Sequence, residues 1–230
     1  FSLAYSNGFA TYTNTASTSY CWMFKRAKGF FDVVAYTGNG TAGRTVNHSL
    51  GVVPEMMWVK ARNGDTNWNV YSNTLGTSNR MYLNSNGSST SAPSVWYETP
   101  TSTEFSLNTN THVNYSGYDY IAYLFATLAG ISKVGSFTGN GSSQNIACGF
   151  SGGARFVLIK RTDATGDWYI WDTTRGIVTG NDPHLSLNTT AAEVTSDDSI
   201  DPQSAGFTVN QVSATNINVS SASYIFLAIA

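Results

Sequence analysis

One sequence pattern occurs twice along this chain, and the distance between equivalent positions stays between 100 and 104 residues. The pairs that define it are Tyr36–Gly40 with Phe137–Gly141, Trp58–Arg62 with Leu158–Arg161, Trp68 with Trp168, and Tyr120 with Tyr224. Such a constant period predicts a repeated structural unit with insertions in its loops. Positions that are kept in both units are expected to form the framework, and positions that differ are free to take another role.

The repeat predicts how the chain is divided. Residues 28–129 form a first unit and residues 130–230 form a second. Residues 1–27 are expected to be the final strands of a preceding unit, because Phe1-Ser2-Leu3 resembles Phe105-Ser106-Leu107. The chain also starts inside a strand pattern, so we expect it to be the C-terminal piece of a longer polypeptide.

The local pattern is that of β-structure. Short segments rich in Thr, Val, Tyr, Ile, Phe and Trp alternate with clusters of Gly, Asn, Ser and Asp, and helical periodicity is missing. This spacing predicts an all-β protein made of tandem antiparallel β-sandwiches, jelly-roll or lectin-like, of about 100 residues each. The last strand of each unit, Tyr120–Phe125 or Tyr224–Ile229, is apolar throughout, which indicates cover on both faces. A further strand is predicted over Val95–Tyr97, and the short link Thr127–Gly130 predicts units packed rigidly in series or sharing one core.

Composition argues against several classes of function. Charged residues make up 11% of the chain and the formal net charge is −2, so the basic patch that nucleic-acid binding requires is missing. No apolar run reaches the length of a membrane span, so membrane insertion is not predicted. Cys21 and Cys148 lie at different positions of the pattern, which favours free buried thiols over a disulfide. Neither a cofactor motif nor a zinc-type Cys/His cluster occurs, and no cofactor or metal is predicted.

Acidic residues cluster in two places, a turn that contains Asp163 and Asp167 and the loop Asp197–Asp201. Because Asp is a favoured turn former, solvated turn residues are the preferred interpretation. A calcium ion at the Asp197–Asp201 loop is left open, since Ca²⁺ takes several oxygen ligands from such loops. The histidines occupy unrelated positions in the two units and suggest no catalytic triad; they are His48, His112 and His184. The chain is not predicted to be an enzyme.

Aromatic residues are the better candidates for a functional surface, because their faces stack on sugar rings while Asn, Asp and Thr bond the hydroxyl groups. Aromatic residues kept in both units are expected to fill the core. The predicted framework residues are Trp68, Trp168, Tyr120 and Tyr224. The predicted surface contacts are Trp96, Tyr97, Tyr71 and Trp171, of which Trp96 and Tyr97 lie in a Pro-flanked segment that the second unit lacks.

A family resemblance is carried by four segments, Lys25–Gly40, Leu50–Met57, Gly153–Arg161 and Gly166–Asp172. These segments resemble a repeated β-rich domain of the structural proteins of marine bacteriophages, including cyanophages, and the resemblance runs from about residue 20 to the C-terminus. In that family the domain often ends a long virion protein, after similar repeats or concanavalin-like lectin modules. The resemblance implies a virion surface component and supplies no catalytic residues.

The resemblance thus implies a non-catalytic module of a phage tail fibre or related surface appendage. It would lie on the virion surface, assemble with other virion proteins and contact host-surface glycans, and a homotrimer is expected by analogy with fibres. Two alternatives stay open, a capsid decoration or head fibre protein that stabilises the shell and a polysaccharide-degrading tailspike. A tailspike would need paired carboxylates across a cleft, from Asp163, Asp167, Glu193 or the Asp197–Asp201 loop.

Overall fold

A computed structural model describes residues 22–230, and it is almost entirely β-structure, as predicted. The elements are β1 (Phe31–Thr37), β2 (Arg44–Asn47), β3 (Met56–Ala61), β4 (Asn69–Ser72), β5 (Asn79–Tyr82), β6 (Thr90–Ser91), β7 (Glu104–Leu107), α1 (Thr111–Asn114), β8 (Asp119–Phe125), β9 (Ser132–Thr138), β10 (Gln144–Ala147), β11 (Phe156–Arg161), β12 (Trp168–Asp172), β13 (Leu185–Ser186), β14 (Ile200–Gln203), β15 (Gly206–Val209) and β16 (Ser223–Ile229). The expected segment 1–27 lies mostly outside the described residues.

The strands form two large sheets and two small ones, and all pairs are antiparallel. The first large sheet has the order β1-β8-β3-β4-β5-β6, and the second has the order β9-β16-β11-β12-β13. The small sheets are β2-β7 in the first half of the chain (residues 28–129) and β10-β15-β14 in the second half (residues 130–230). Five strands of each large sheet therefore follow the same order.

Three buried apolar clusters separate four layers of sheet. The first cluster lies between the first large sheet and β2-β7, and includes Val59, Phe105 and Tyr120. The second lies between the second large sheet and β10-β15-β14. The third joins residues of both large sheets, for example Phe125 and Leu158. Each fully buried side chain of this kind stabilises the fold by about 1.5–3 kcal/mol, so the shared cluster ties the halves together strongly.

The central strands β8 and β16 are apolar throughout because apolar clusters cover both of their faces. In β8, Tyr120, Ala122 and Leu124 face the first cluster, and Phe125 faces the third. In β16 the side chains alternate in the same way between the second and third clusters. The predicted cover on both faces is thus confirmed. The division into two repeat units stays a prediction, since the third cluster draws on both halves.

The end of β5 and the loop that follows it also link the halves. The Trp168 indole Nε1 donates a hydrogen bond to the Tyr82 carbonyl at 2.9 Å, and Lys160 Nζ donates to the Asn86 carbonyl at 3.0 Å. Backbone hydrogen bonds join Ser89 N to the Thr162 carbonyl and Gly166 N to the Asn86 carbonyl. Backbone polar groups of this segment therefore bond to residues of the second half.

The structure corrects parts of the strand prediction. Val95–Tyr97 is not a strand, because only Trp96 makes an isolated bridge, to Leu107. The short strands β6 and β14 and the single helical turn α1 are absent from the sequence-based prediction. The side chain of Asn110 caps α1 by accepting a hydrogen bond from the His112 N–H at 3.0 Å.

Two further expectations concern cysteines and membranes. Cys148 is a free, buried thiol, and burial raises its pKa to about 12. Cys21 lies outside the described residues. Within residues 22–230, none of the helices has the length and apolar character needed to cross a membrane.

Candidate functional site

Three of the four predicted surface aromatics are in fact buried, which corrects the prediction. Tyr71 and Trp96 pack edge to face in the first cluster with ring centroids 5.6 Å apart, and Trp171 lies in the second cluster. The Trp96 indole donates to the Asn79 carbonyl at 3.2 Å, so its polar edge is satisfied inside the protein. Only Tyr97, with 47% of its surface exposed, can reach a partner.

The predicted framework tryptophans lie in unlike environments. Trp168 is fully buried in the third cluster, as expected. Trp68 is half-buried and stacks on Tyr123 at 6.0 Å, so the expectation of a core residue is wrong for Trp68. The difference has a physical cause: the end of β5 covers Trp168, whose indole bonds the Tyr82 carbonyl, and the described residues contain no corresponding hydrogen bond of the Trp68 indole.

The framework tyrosines Tyr120 and Tyr224 are buried and make equivalent hydrogen bonds. The Tyr120 hydroxyl donates to the Thr111 carbonyl at 2.7 Å and accepts from the Tyr115 N–H at 2.9 Å. The Tyr224 hydroxyl likewise donates to a backbone carbonyl at 2.7 Å and accepts a backbone N–H at 3.0 Å. Each hydroxyl thus fixes the loop that precedes its own strand, and in the first half that loop carries exposed side chains.

Those side chains line an open groove of about 260 Å³, which we call the Tyr115–Tyr118 groove. Its lining residues are Asp65, Thr66, Thr111, His112, Tyr115 and Tyr118. Tyr115 is 48% exposed, and its ring meets that of Tyr118 edge to face with centroids 4.7 Å apart. The groove therefore combines aromatic faces with hydroxyl and carboxylate groups at the surface.

Two glycines allow the groove to form. A Cβ on Gly64 would lie 2.1 Å from the Tyr118 ring, so the ring packs directly on the backbone of the turn between β3 and β4. A Cβ on Gly38 would lie 2.2 Å from the Tyr115 carbonyl oxygen. Gly38 thus serves a close backbone approach, and the positive φ of its turn, 73°, belongs to Gly40.

The second half lacks the groove although its backbone bonds are the same. Gly38 N bonds the Tyr118 carbonyl in the first half, and Gly139 N bonds the Ala222 carbonyl in the second. Ala222 therefore occupies the position of Tyr118, and by the same comparison Val219 stands at the position of Tyr115. The exposed Tyr115 and the half-buried Tyr118 thus belong to the first half alone, outside the common framework.

A basic and aromatic cluster lies behind the groove. The Arg80 guanidinium carbon is 4.7 Å from the centroid of the Tyr82 ring, and His112 stacks on Tyr82 at 5.9 Å. Burial, the Arg80 charge and the Lys60 charge together hold the pKa of His112 below its ordinary value, so the imidazole is neutral at pH 7. Sequence reasoning missed His112 and Arg80, since nothing in the sequence places β5 beside α1.

The acidic residues that a glycosidase would use are engaged in structural bonds. Asp163 accepts from the Arg161 guanidinium at 2.9 Å, and this hydrogen bond lowers the pKa of the Asp163 carboxyl. Asp167 accepts from Asn188 Nδ2 at 2.7 Å, as Asn67 does from Asn84 in the first half. Glu193 pairs with Arg175 at 2.8 Å.

The Asp197–Asp201 loop packs against a buried carboxyl. Asp182 is fully buried and accepts backbone N–H groups of Val178 and Ile200; burial raises its pKa to about 7. Asp197 lies 3.6 Å from His184 Nδ1, and Asp201 accepts from Asn210 Nδ2 at 2.7 Å. Among residues 22–230 no group of three His, Cys, Asp or Glu side chains is arranged to hold a metal ion.

A larger cleft, of about 400 Å³, opens where the large sheets end near Trp22. The Trp22 indole donates to Asp172 at 3.0 Å, and the Arg175 guanidinium carbon lies 5.2 Å from the Trp22 ring centroid. Phe24 packs on Phe125 and Phe156 at the base of the cleft. These polar and aromatic groups bind one another, and together they cover the end of the third cluster.

The profile of one family matches residues 2–230. The chain belongs to the family described as Domain of unknown function (DUF7483). No curated protein and no solved structure matches it. The DUF7483 domain spans both large sheets and all three apolar clusters, and with them the Tyr115–Tyr118 groove.

Proposed function

We propose that this chain is a non-catalytic module of a bacteriophage surface appendage, such as a tail fibre, that contacts host-surface carbohydrate through the Tyr115–Tyr118 groove. The single observation that carries the proposal is the groove itself. Tyr115 and Tyr118 are exposed or half-buried aromatic residues that the equivalent positions of the second half replace with Val219 and Ala222. Aromatic rings that the framework does not require are free for a ligand.

The chemistry of the groove suits a sugar. An aromatic ring covers the apolar face of a pyranose, while hydroxyl and carboxylate groups bond its hydroxyls. The groove offers the Tyr115 and Tyr118 rings together with Thr66, Thr111 and Asp65. Its volume of about 260 Å³ fits one or two sugar residues lying at the surface, as expected for contact with a polymer.

Location on a phage particle rests on the family resemblance of segments such as Lys25–Gly40. The fold is compatible with that location, since short strands, few charges and a core shared by both halves suit a protein exposed to proteases. Other virion proteins are then its neighbours, and a homotrimer is part of the proposal.

Saccharide binding tests the proposed contact. The wild-type protein and the variants Tyr115→Ala and Tyr118→Ala are titrated with saccharides released from the host cell surface. We expect both variants to bind about fivefold to tenfold more weakly, because a stacked aromatic contributes about 1–1.4 kcal/mol. Tyr97→Ala is the matched control, being an exposed tyrosine outside the groove.

Two results would contradict the proposal. Loss of binding in Tyr97→Ala, with binding by Tyr115→Ala unchanged, would show that the contact lies on the β2-β7 side instead of in the groove. A wild-type protein that binds no saccharide would rule out carbohydrate binding altogether. Location is tested separately. Antibodies against the chain should decorate phage particles in electron micrographs, and decoration of the head alone would favour the capsid alternative.

A further inference from the structure

The second large sheet covers only part of the outer face of the first, which is the face turned away from β2-β7. We call the remaining part the Trp58–Tyr123 face. Its six side chains are Val33, Ala35, Trp58, Trp68, Ile121 and Tyr123. Ala35 is exposed and the other five are half-buried. All six are aliphatic or aromatic, although a sheet face that meets water usually carries polar side chains. The face therefore combines the composition of a core with access to solvent.

The second half shows what covers the same face when it is complete. Strand pairing gives every residue of the face except Ala35 an apolar equivalent there, and these equivalents are Val134, Leu158, Trp168, Ile225 and Leu227. All five lie in the third cluster with at most 3% of their surface exposed. Ser136 takes the place of Ala35 and is exposed. Both halves thus keep the apolar face, but only in the second half does another sheet of the same kind cover it.

The difference arises because the two large sheets overlap unevenly. The second sheet covers β4 and β5 of the first, where Val70 and Met81 are fully buried in the third cluster. On β1 and β8 the outer face is buried only at one end, at Phe31 and Phe125. The Trp58–Tyr123 face begins beside these residues, so it is a direct continuation of the contact between the halves.

A second copy of this chain is the occupant that these observations favour. The contact that the face continues is already one between two sheets of this fold. The six side chains are uncharged, and the flanking Lys60 and Asp119 have opposite signs, so two copies that meet here do not repel each other. The Lys60 ammonium group also bonds the Thr66 carbonyl of its own chain. Removal of aromatic and aliphatic surface from water is the main driving force for such an association.

We infer that the Trp58–Tyr123 face is the surface through which copies of this chain associate. On association the exposed Ala35 and the half-buried rings of Trp58, Trp68 and Tyr123 become covered, as their equivalents are in the second half. The inference rests on the proposed function only for the number of copies, which is three for a homotrimer. It adds the surface that joins them.

The mass of the full chain in solution tests the inference, measured by analytical ultracentrifugation over a wide range of concentrations. The wild-type protein should sediment as an oligomer. Ala35→Arg should weaken association at least about tenfold, because the contact would strip water from a guanidinium without giving it a partner. Ala35 is exposed within one chain, so this variant should unfold in urea as the wild type does. Ile121→Thr keeps a β-branched side chain in β8, removes apolar surface and should weaken association several-fold.

Ser136→Arg is the matched control, since it places the same charge at the equivalent exposed position of the second half and should leave the mass unchanged. A wild-type protein that stays monomeric overturns the inference together with the homotrimer, leaves the face to a different partner and does not affect carbohydrate contact. An oligomer that Ala35→Arg and Ile121→Thr leave intact, or that Ser136→Arg disrupts as strongly, overturns the assignment to this face alone.

Discussion

Lys160 Nζ donates a hydrogen bond to the Asn86 carbonyl at 3.0 Å, and so a buried lysine of the second half holds a loop of the first. The same ammonium group donates to the Gly166 carbonyl. Lys60, at the equivalent position of the first half, is only half-buried and bonds the Thr66 carbonyl alone. One lysine therefore links the halves, and its counterpart closes a local turn.

Lys160→Met is expected to lower the free energy of unfolding by about 1–3 kcal/mol, because two backbone carbonyls lose their donor. Lys60→Met, the matched control, should cost about 1 kcal/mol or less, since Thr66 is accessible to water. Urea unfolding at pH 7 measures both. Equal losses would mean that the contact with Asn86 contributes nothing.

The pH dependence gives a second readout of Lys160. Burial, with a smaller effect of the Arg161 charge, lowers the pKa of its ammonium group from 10.5 to about 8. Between these values the unfolded chain binds more protons than the folded one, so this group makes stability rise with pH from about 8 to about 10.5. The difference in unfolding free energy between wild type and Lys160→Met should rise over that window, and a constant difference would contradict the assignment.

The two tryptophans provide a test of the asymmetry between the halves. Trp168→Ala should cost about 3–5 kcal/mol, as large truncations in a core do. Trp68→Ala should cost about 1–2 kcal/mol, because its ring is half-exposed and contacts mainly Tyr123. Thermal or urea unfolding of the two variants decides, and a loss for Trp68→Ala as large as that for Trp168→Ala would show that Trp68 is a core residue.

Gly135 and Phe226 form a cross-strand pair with the small residue on β9 and the large one on β16. In the equivalent pair of the first half, the larger residue is on β1 and the smaller one on β8. A Cβ on Gly135 would lie 2.6 Å from the Phe226 ring, whereas the equivalent pair is Val34 opposite Ala122. Gly135→Val should destabilise by about 1–3 kcal/mol through overpacking. The double variant Gly135→Val/Phe226→Ala should lose at least about 1 kcal/mol less than the sum of the single losses, since the added methyl groups then fill space. Additive losses in urea unfolding would show that the two positions do not share that space.

The fold class could be read from the sequence, and the layering only in part. Turn residues and alternating apolar positions predicted most strands, and the apolar run Tyr120–Phe125 correctly indicated cover on both faces. The partner that covers the second face is the other half of the chain, and local patterns do not encode such a contact. For this reason the sequence predicts a core position for both Trp68 and Trp168, whereas in the structure only Trp168 is in the core.

The candidate site was harder to predict for a similar reason. Trp96 lies in a Pro-flanked loop and is predicted to be a surface contact, yet its side chain turns inward and packs on Tyr71. The groove residues Tyr118 and His112 come from the segment before β8, and Asp65 comes from the turn between β3 and β4. These positions meet only through sheet pairing. A comparison of the two halves contained a usable signal, since Tyr118 is replaced by Ala222 at a framework turn.

Asp182 should make stability fall with rising pH. Burial raises its pKa from 3.8 to about 7, although two backbone N–H groups oppose the shift. Because the folded pKa is raised, its stabilising contribution is complete below about pH 4 and is lost as pH rises through about 7. Relative to Asp182→Asn, the wild-type protein should therefore lose stability from pH 4 to pH 7, as measured by chemical unfolding. A pH-independent difference between the two proteins would contradict a buried, protonated Asp182.

The hydroxyl of Tyr120 connects the framework to the groove and can be tested apart from the ligand contacts. Tyr120→Phe removes the bonds to the Thr111 carbonyl and the Tyr115 N–H, so it should cost about 1–3 kcal/mol and weaken saccharide binding several-fold by loosening the Tyr115 loop. Tyr224→Phe removes the equivalent bonds in the second half, where no groove lies, and should cost similar stability while leaving binding unchanged. Unfolding and saccharide titration of both variants separate the two effects. If Tyr224→Phe weakens binding as much as Tyr120→Phe, the loss comes from general destabilisation, and the Tyr120 hydroxyl has no special role in positioning the groove.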